Sequence, residues 1–197
     1  GLCRRCAQQN EQAEQTAAGV KVTYAVGNQE HTVDADYVVV SVGRRPNTKD
    51  MGLEQAGIKL DKRGLIEVDA QGRTSVKNIF AIGDIVAGAA LAHKASYEGK
   101  VAAEAISGKP TTVDYHAMPA VCYLDNEIAT TGLTESEAKE KGLDVKTAKS
   151  PFMANGRAVS MKATEGFVRL VFMKDTHVMV GAQIVGPDAS DLISELT

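Results

Sequence analysis

A chain of 197 residues that is 44% hydrophobic and 24% charged can bury a core and lies far from the polar, highly charged compositions of disordered segments. Its formal net charge of −3, with 22 basic residues scattered along the chain, lacks the basic stripe of a nucleic-acid binder. No apolar run approaches the ~18 residues of a bilayer span and no apolar signal segment opens the chain, so a cytoplasmic location without a membrane partner is expected.

The three cysteines, Cys3, Cys6 and Cys122, are too few and odd in number for a disulfide framework, as suits a reducing compartment. Cys3 and Cys6 form a C-x2-C pair, but no second pair completes a zinc site and no strand precedes it to present a redox motif. No metal site is expected. Residues 1–18 are rich in Gln, Glu and Ala without an apolar period, which reads as a frayed helix or an accident of where the chain begins. Val20, Val22, Tyr24 and Val26 then alternate with polar residues, Gly27-Asn28 signals a tight turn, and a polar return runs to Val33, which predicts a β-hairpin. From Tyr37 to Gly43 runs a nearly unbroken β-branched segment, the pattern of a parallel strand covered on both faces. Gly43-Arg44-Arg45-Pro46-Asn47 ends it, and Pro46 holds Arg45 extended, so a domain crossing with Arg44 and Arg45 in surface salt bridges is expected there.

A helical turn follows near Leu53-Glu54-Gln55-Ala56, closed by Gly57, then a strand through 65–68 and a second buried strand at Ile79-Phe80-Ala81-Ile82, stopped by Gly83-Asp84. The pattern predicts a helix over 91–107 with a small-residue face of Ala92, Ala95, Ala102, Ala105 and Ile106, ended by Gly108 and Pro110. Beyond Val113 strands are predicted at 115–124, 144–149, 167–174 and 178–185, with Asp175-Thr176-His177 as a hairpin turn and Cys122 as a small core residue. One helix is begun by a capping box of Thr134 and Glu137. This half reads as an α+β domain on an antiparallel sheet. Leu192, Ile193 and Leu196 begin an amphipathic helix that no C-cap closes, so the end reads as cut, as does the start at Gly1 without a Met.

Ligands of α/β sheets bind beyond the carboxyl ends of strands, where Asp84 is expected. There Gly83 allows close backbone approach, and the Asp84 carboxylate is either a turn former or an acceptor for sugar-like hydroxyls. The expected first turn of the next helix, Ala90-Leu91-Ala92-His93, would offer free N–H groups and partial positive charge to the same crevice. His93 by itself reads as a helix-start histidine without catalytic work.

Strand, Gly-Asp and helix together resemble the second flavin-binding motif of the two-dinucleotide-fold disulfide reductases, the pyridine nucleotide-disulfide oxidoreductases. The segment Leu91-Ala92-His93-Lys94-Ala95-Ser96-Tyr97-Glu98-Gly99 looks most like the dihydrolipoamide dehydrogenase branch, and less like glutathione or mercuric reductases. Val42 to Asn47, Pro119-Ala120-Val121, Ala154 to Ala158 and Gly181 to Pro187 are similar to the same branch, so that the resemblance covers about residues 19–197. It implies an α/β plus α+β fold: the tail of an NAD-binding domain (1–46), part of an FAD-binding domain (47–110) and an antiparallel-sheet interface domain (111–197). By the same resemblance Asp84 would hydrogen-bond the ribityl chain of FAD, Ala90, Leu91, Ala92 and His93 would meet the flavin pyrimidine edge, and Gly43 would line the NAD cleft. Arg44 and Arg45 are candidates for a cofactor phosphate there, but their place after a strand and before Pro46 fits domain-crossing salt bridges better.

The family's C-x4-C redox disulfide, Gly-x-Gly-x-x-Gly loops and His-Glu pair are not found in this sequence, and His31, His93, His116 and His177 do not match the family histidine. The resemblance therefore implies an inactive piece of an enzyme that reoxidises dihydrolipoamide with NAD through FAD, a piece that by itself, without the segment that grips the ADP half, retains FAD weakly or not at all. A surviving role would be homodimer formation, with 2-oxoacid dehydrogenase complexes as partners of the parent. The sheet residues leave two possibilities open: an exposed apolar face that a second subunit covers, or a sheet satisfied by its own helices.

Overall fold

The computed structural model describes residues 12–41 and 43–197, so the Cys3–Cys6 pair lies outside the described residues. The chain divides into two compact units, Gly1–Arg44 and Arg45–Thr197.

The first unit is a three-stranded antiparallel meander of β1 (Gln12–Thr16), β2 (Gly19–Val26) and β3 (Gln29–Ala35). The predicted hairpin is β2–β3, closed at Val26↔Gln29 with Gly27 at φ +63°, the positive value that a two-residue turn of this kind asks of its first central residue. Strand β1 corrects the expectation of a frayed helix. Its polar residues have little intrinsic strand preference, but the ladder from Gln12↔Thr23 to Thr16↔Gly19 supplies partners that propensity cannot see. A second correction concerns 37–43: no strand is assigned there among the described residues, and Tyr37 and Val39 are 87% and 89% exposed. A β-branched run becomes a buried strand only between neighbours, and no described strand pairs with this one.

The second unit begins with turns around a small core of Ile58, Ile66, Ala81 and Val86. The helical turn at 53–56 forms, with Ile58 N–H bonding the Leu53 carbonyl at 2.9 Å. The strands expected at 65–68 and 79–82 do not extend into ladders. They make single bridges, Leu60↔Ile66, Ile66↔Val86 and Arg73↔Phe80, because side-chain-closed turns interrupt them. Asp61 Oδ1 accepts from the N–H groups of Arg63 and Leu65, and Asp69 Oδ1 from those of Gln71 and Arg73.

Helix α1 (Ala92–Ile106) follows, and Gly108 at φ +85° closes it as predicted: Gly108 N–H bonds the Ala105 carbonyl and Lys109 N–H the Glu104 carbonyl, a Schellman motif. Its buried stripe is Lys94, Glu98, Val101, Ala102 and Ala105. Of the expected small-residue face, Ala102 and Ala105 are buried, Ala95 is half-buried, and Ala92 and Ile106 face solvent. The stripe is rotated toward a charged pair that a search for small residues passes over.

The remainder is a five-stranded antiparallel sheet in the order β4-β5-β8-β7-β6, which bears out the α+β reading of this half. Its strands are β4 (Ala120–Cys122), β5 (Glu127–Gly132), β6 (Val145–Pro151), β7 (Phe167–Met173) and β8 (Met179–Gly186). Strand β5 was not expected, since the Asp125-Asn126-Glu127 lead-in reads as loop, and β4 is shorter than predicted. Helix α2 (Glu135–Glu140) starts at the predicted capping box, with Glu137 N–H on Thr134 Oγ1 and Thr134 N–H on a Glu137 carboxylate oxygen. Short helices α3 (Gly156–Ser160) and α4 (Ala189–Leu192) complete the fold, α4 running on as a 3-10 turn at Ile193–Leu196.

Both sheet faces carry a core built with the chain's own helices. Ala129, Ala182 and Ile184 pack with Ala189 and Ile193 on one side; Val145 and Val171 pack with Ala138 on the other. Leu192, expected on the apolar face with Ile193, is 44% exposed, whereas Ile193 is 1% exposed. Cys122 is exposed, against the expectation of a core residue, because strand alternation turns it away from the core side occupied by Val121.

Glu127 ties β5 to α4 by accepting the Ser190 N–H at 2.8 Å, and that bond holds its carboxyl below the usual carboxylate range. A lowered folded pKa contributes stability that is complete above the unfolded value near 4.5 and is lost as pH falls through the folded one. The urea midpoints of the parent and Glu127→Gln are therefore expected to differ at pH 7 and to converge as the pH falls below 4.5 and through the lowered folded pKa. Equal separation at both ends of the range would show that the carboxylate charge does no work there.

Candidate functional site

Gly83–Ile85 forms one 3-10 turn that packs on α1, with Gly83 at φ +79° and buried. A Cβ at Gly83 would lie 3.3 Å from Ala95 Cβ, so this conformation and this contact both call for glycine. Asp84 is exposed beside it. The turn is gripped on both sides of the Gly83 Cα, at its N–H and at its carbonyl, by side chains of α1. Gly83 N–H donates to Glu98 Oε2 at 2.7 Å, and the Lys94 ammonium donates to the Gly83 carbonyl at 3.2 Å.

Lys94 and Glu98 form an ion pair at 2.8 Å, with side chains only 2% and 5% exposed. Two buried charges survive only when paired and hydrogen-bonded, and here each charge has the other and a backbone group of Gly83 as partners. The Lys94 stem runs beneath the loop before α1, where a Cβ at Gly88 would meet Lys94 Cε at 2.8 Å. The Tyr115 hydroxyl donates to Glu98 Oε1 at 2.6 Å, and burial together with that carboxylate raises the phenol pKa well above its ordinary value.

Between the turn and the helix, Ala87, Gly88, Ala89 and Ala90 are all exposed and present little side chain. The helix begins one residue later than expected for its first turn: Leu91 is the N-cap, half-buried, and Ala90 precedes the helix. No side chain caps this N-terminus and no acidic residue stands in its first turn, so the dipole of a 15-residue helix is open to an anionic or electron-rich ligand. Ala92 and His93 are exposed in that turn, and His93 Nε2 donates to the Pro119 carbonyl at 2.7 Å, which commits its imidazole to tethering the chain leading into β4. Asp84 and Ala90 to His93 thus lie in one compact unit, on a turn and a helix packed together. Gly43, at φ +150° and exposed, belongs to the other unit. Among the described residues no cluster of three or more His, Cys, Asp or Glu could hold a metal, and no helix is long and apolar enough to cross a membrane.

Sequence reasoning missed Lys94, Glu98 and Tyr115. A Lys and a Glu four residues apart ordinarily describe a solvated helix face, and nothing beside them in the sequence marks this pair as buried.

Residues 5–99 match the family model described as pyridine nucleotide-disulphide oxidoreductase, and residues 118–197 match that family's dimerisation domain. The chain belongs to the pyridine nucleotide-disulphide oxidoreductase family. Within it, the chain is 62% identical over 184 residues to the dihydrolipoyl dehydrogenase of Geobacillus stearothermophilus and 55% identical to that of Bacillus subtilis. Each alignment covers 93% of this chain and 39% of the relative, so the chain spans well under half the length of these family members. Among solved structures, LpdA from Mycobacterium tuberculosis superposes with a TM-score of 0.84 at 30% identity, over 93% of this chain and 40% of that one. The flavoprotein disulfide reductase RclA from Escherichia coli shares the fold, with a TM-score of 0.82 at 24% identity, over 95% of this chain and 42% of that one.

Proposed function

We propose that this chain supplies the second flavin-binding segment and the dimerisation domain of a dihydrolipoyl dehydrogenase, which reoxidises dihydrolipoamide with NAD. The observation that carries the reading is the Gly83-Asp84 turn, clamped by α1 beside that helix's own uncapped N-terminus. Support comes from relatives of that name at 55–62% identity.

The site fits FAD: the small exposed loop 87–90 leaves room for close backbone approach, Asp84 can accept from ribityl hydroxyls, and Ala90 to His93 can face the electron-rich pyrimidine edge. FAD, when bound, carries electrons between the disulfide chemistry and NAD. The residues of this chain orient the flavin, and Gly43 leaves the NAD cleft open to the cofactor. The sequence holds no C-x4-C pair, so the proposed thiol steps draw on a disulfide elsewhere in the whole protein. We assign residues 1–46, 47–110 and 111–197 to the NAD, FAD and interface domains. Homodimerisation through the last, association with 2-oxoacid dehydrogenase complexes and a cytoplasmic location complete the proposal.

The test is a chimera in which the aligned 184 residues replace those of the Geobacillus stearothermophilus relative. The purified chimera is expected to be yellow and to reduce NAD with dihydrolipoamide. Asp84→Ala within it is expected to weaken FAD retention at least about tenfold, the loss of a hydrogen bond to a charged group. A folded but colourless chimera would sink the flavin assignment, and turnover of glutathione in place of lipoamide would move the protein to another branch of the family.

A further inference from the structure

Helix α1 and the sheet are joined by residues 107–119, and hydrogen bonds from side chains and backbone stitch this connector down along its length. Gln71 Nε2 donates to the Thr111 carbonyl at 2.8 Å, Val113 N–H to the Ala70 carbonyl at 2.8 Å, and Asp114 N–H to the Tyr97 hydroxyl at 2.9 Å. Tyr97 and Tyr115 pack edge to face at 6.4 Å between ring centroids. The connector is thereby held still where Tyr115 reaches Glu98.

The Glu98 carboxylate is shared unequally. Oε1 takes the Lys94 ammonium and the Tyr115 hydroxyl, while Oε2 takes the Gly83 N–H. A carboxylate turning about its last side-chain bond moves both oxygens together, and that torsion is soft. Lys94 does not fix it alone, because an ammonium acts as a point charge without an aimed fork and this one also serves the Gly83 carbonyl. Tyr115 brings a rigid ring with one aimed hydroxyl to the same oxygen, and so defines where Oε2 sits.

We propose that Tyr115 is a positioning residue: through the two oxygens of Glu98 it sets the placement of the Gly83 peptide and the Asp84 that follows, so that the connector to the sheet domain is mechanically coupled to the turn. This rests on the reading that the turn faces the flavin, for its bearing on function though not for its geometry. A shift of the sheet domain that moves the connector reaches the turn through two hydrogen bonds in series, Tyr115 to Glu98 and Glu98 to Gly83.

The test is the Gly83 amide signal in proton–nitrogen spectra of the chain itself. In the parent it is expected downfield and protected, as a bond to a buried carboxylate requires. Tyr115→Phe should move it upfield and speed its hydrogen exchange about tenfold. Tyr97→Phe removes the stitch at Asp114 while keeping the Tyr115 hydroxyl on Glu98, and should move the signal far less. An unmoved Gly83 signal in Tyr115→Phe, or an equal shift in Tyr97→Phe, would overturn the coupling. Should Tyr115→Phe fail to fold, the parent decides: a slowly exchanging Tyr115 hydroxyl proton is expected, and its absence counts against the proposal. The flavin reading is tested apart, in the chimera: a yellow chimera whose Tyr115→Phe variant loses FAD more readily supports both readings, whereas a colourless chimera beside a Tyr115 effect on Gly83 leaves the coupling standing and removes the flavin.

Discussion

Lys94→Met is expected to lower stability by about 3–5 kcal/mol, the cost of removing one partner from a buried ion pair. Methionine keeps most of the apolar stem, so packing beneath Gly88 changes little. What is lost is the charge that balances Glu98, which stays 4% exposed with only the Gly83 N–H and the Tyr115 hydroxyl as partners. Urea denaturation of the purified chain measures the loss. Removing both charges, Lys94→Met with Glu98→Leu, is expected to recover only part of it, since that double change orphans the Gly83 amide and the Tyr115 hydroxyl. A loss below about 1 kcal/mol for Lys94→Met would mean that the pair is solvated, as exposed pairs are.

Gly181→Ala is expected to be of similar severity, about 3 kcal/mol or more, for a purely steric reason. The new Cβ would overlap the Leu133 carbonyl oxygen and lie 2.6 Å from the Leu133 nitrogen, and neither is the end of a flexible side chain. Leu133 cannot step aside easily, because its N–H bonds the Val180 carbonyl at 2.8 Å and Gly132 pairs with Gly181 in the β5–β8 ladder. Two strands at the centre of the sheet would have to part. Denaturation gives the magnitude, and faster amide exchange at Thr131 and Leu133 would localise it to that edge. A stable variant with unchanged exchange would show that the ladder has slack that these distances do not suggest.

Those two sites differ in how far the sequence announced them. Signals carried by neighbouring residues were legible: the Thr134 and Glu137 box, Gly108 as a helix stop, Gly27 in its hairpin, and strands β6 to β8 from their alternation. Signals that depend on distant partners were not. β1 and β5 exist because other strands offer them ladders, and the run from Tyr37 is assigned no strand because no described strand offers it one. At the candidate site, Asp84 and the start of α1 could be picked out from the Gly-Asp step and the helix pattern. The Lys94–Glu98–Tyr115 network could not, since burial of a charged pair is decided by the loop that folds over it and by a tyrosine 17 residues along the chain from Glu98. Cys122 shows the same limit in small: its side of the sheet depends on register, which composition does not report.

Position 88 is held to glycine twice over: its φ of +115° is one that L side chains rarely adopt, and a Cβ there would lie 2.8 Å from Lys94 Cε. Shortening Lys94 would relieve the second constraint alone and would strand the charge of Glu98. Among descendants of this sequence the glycine is therefore expected to persist whatever stands at 94, whereas the lysine and the glutamate should be kept or exchanged together.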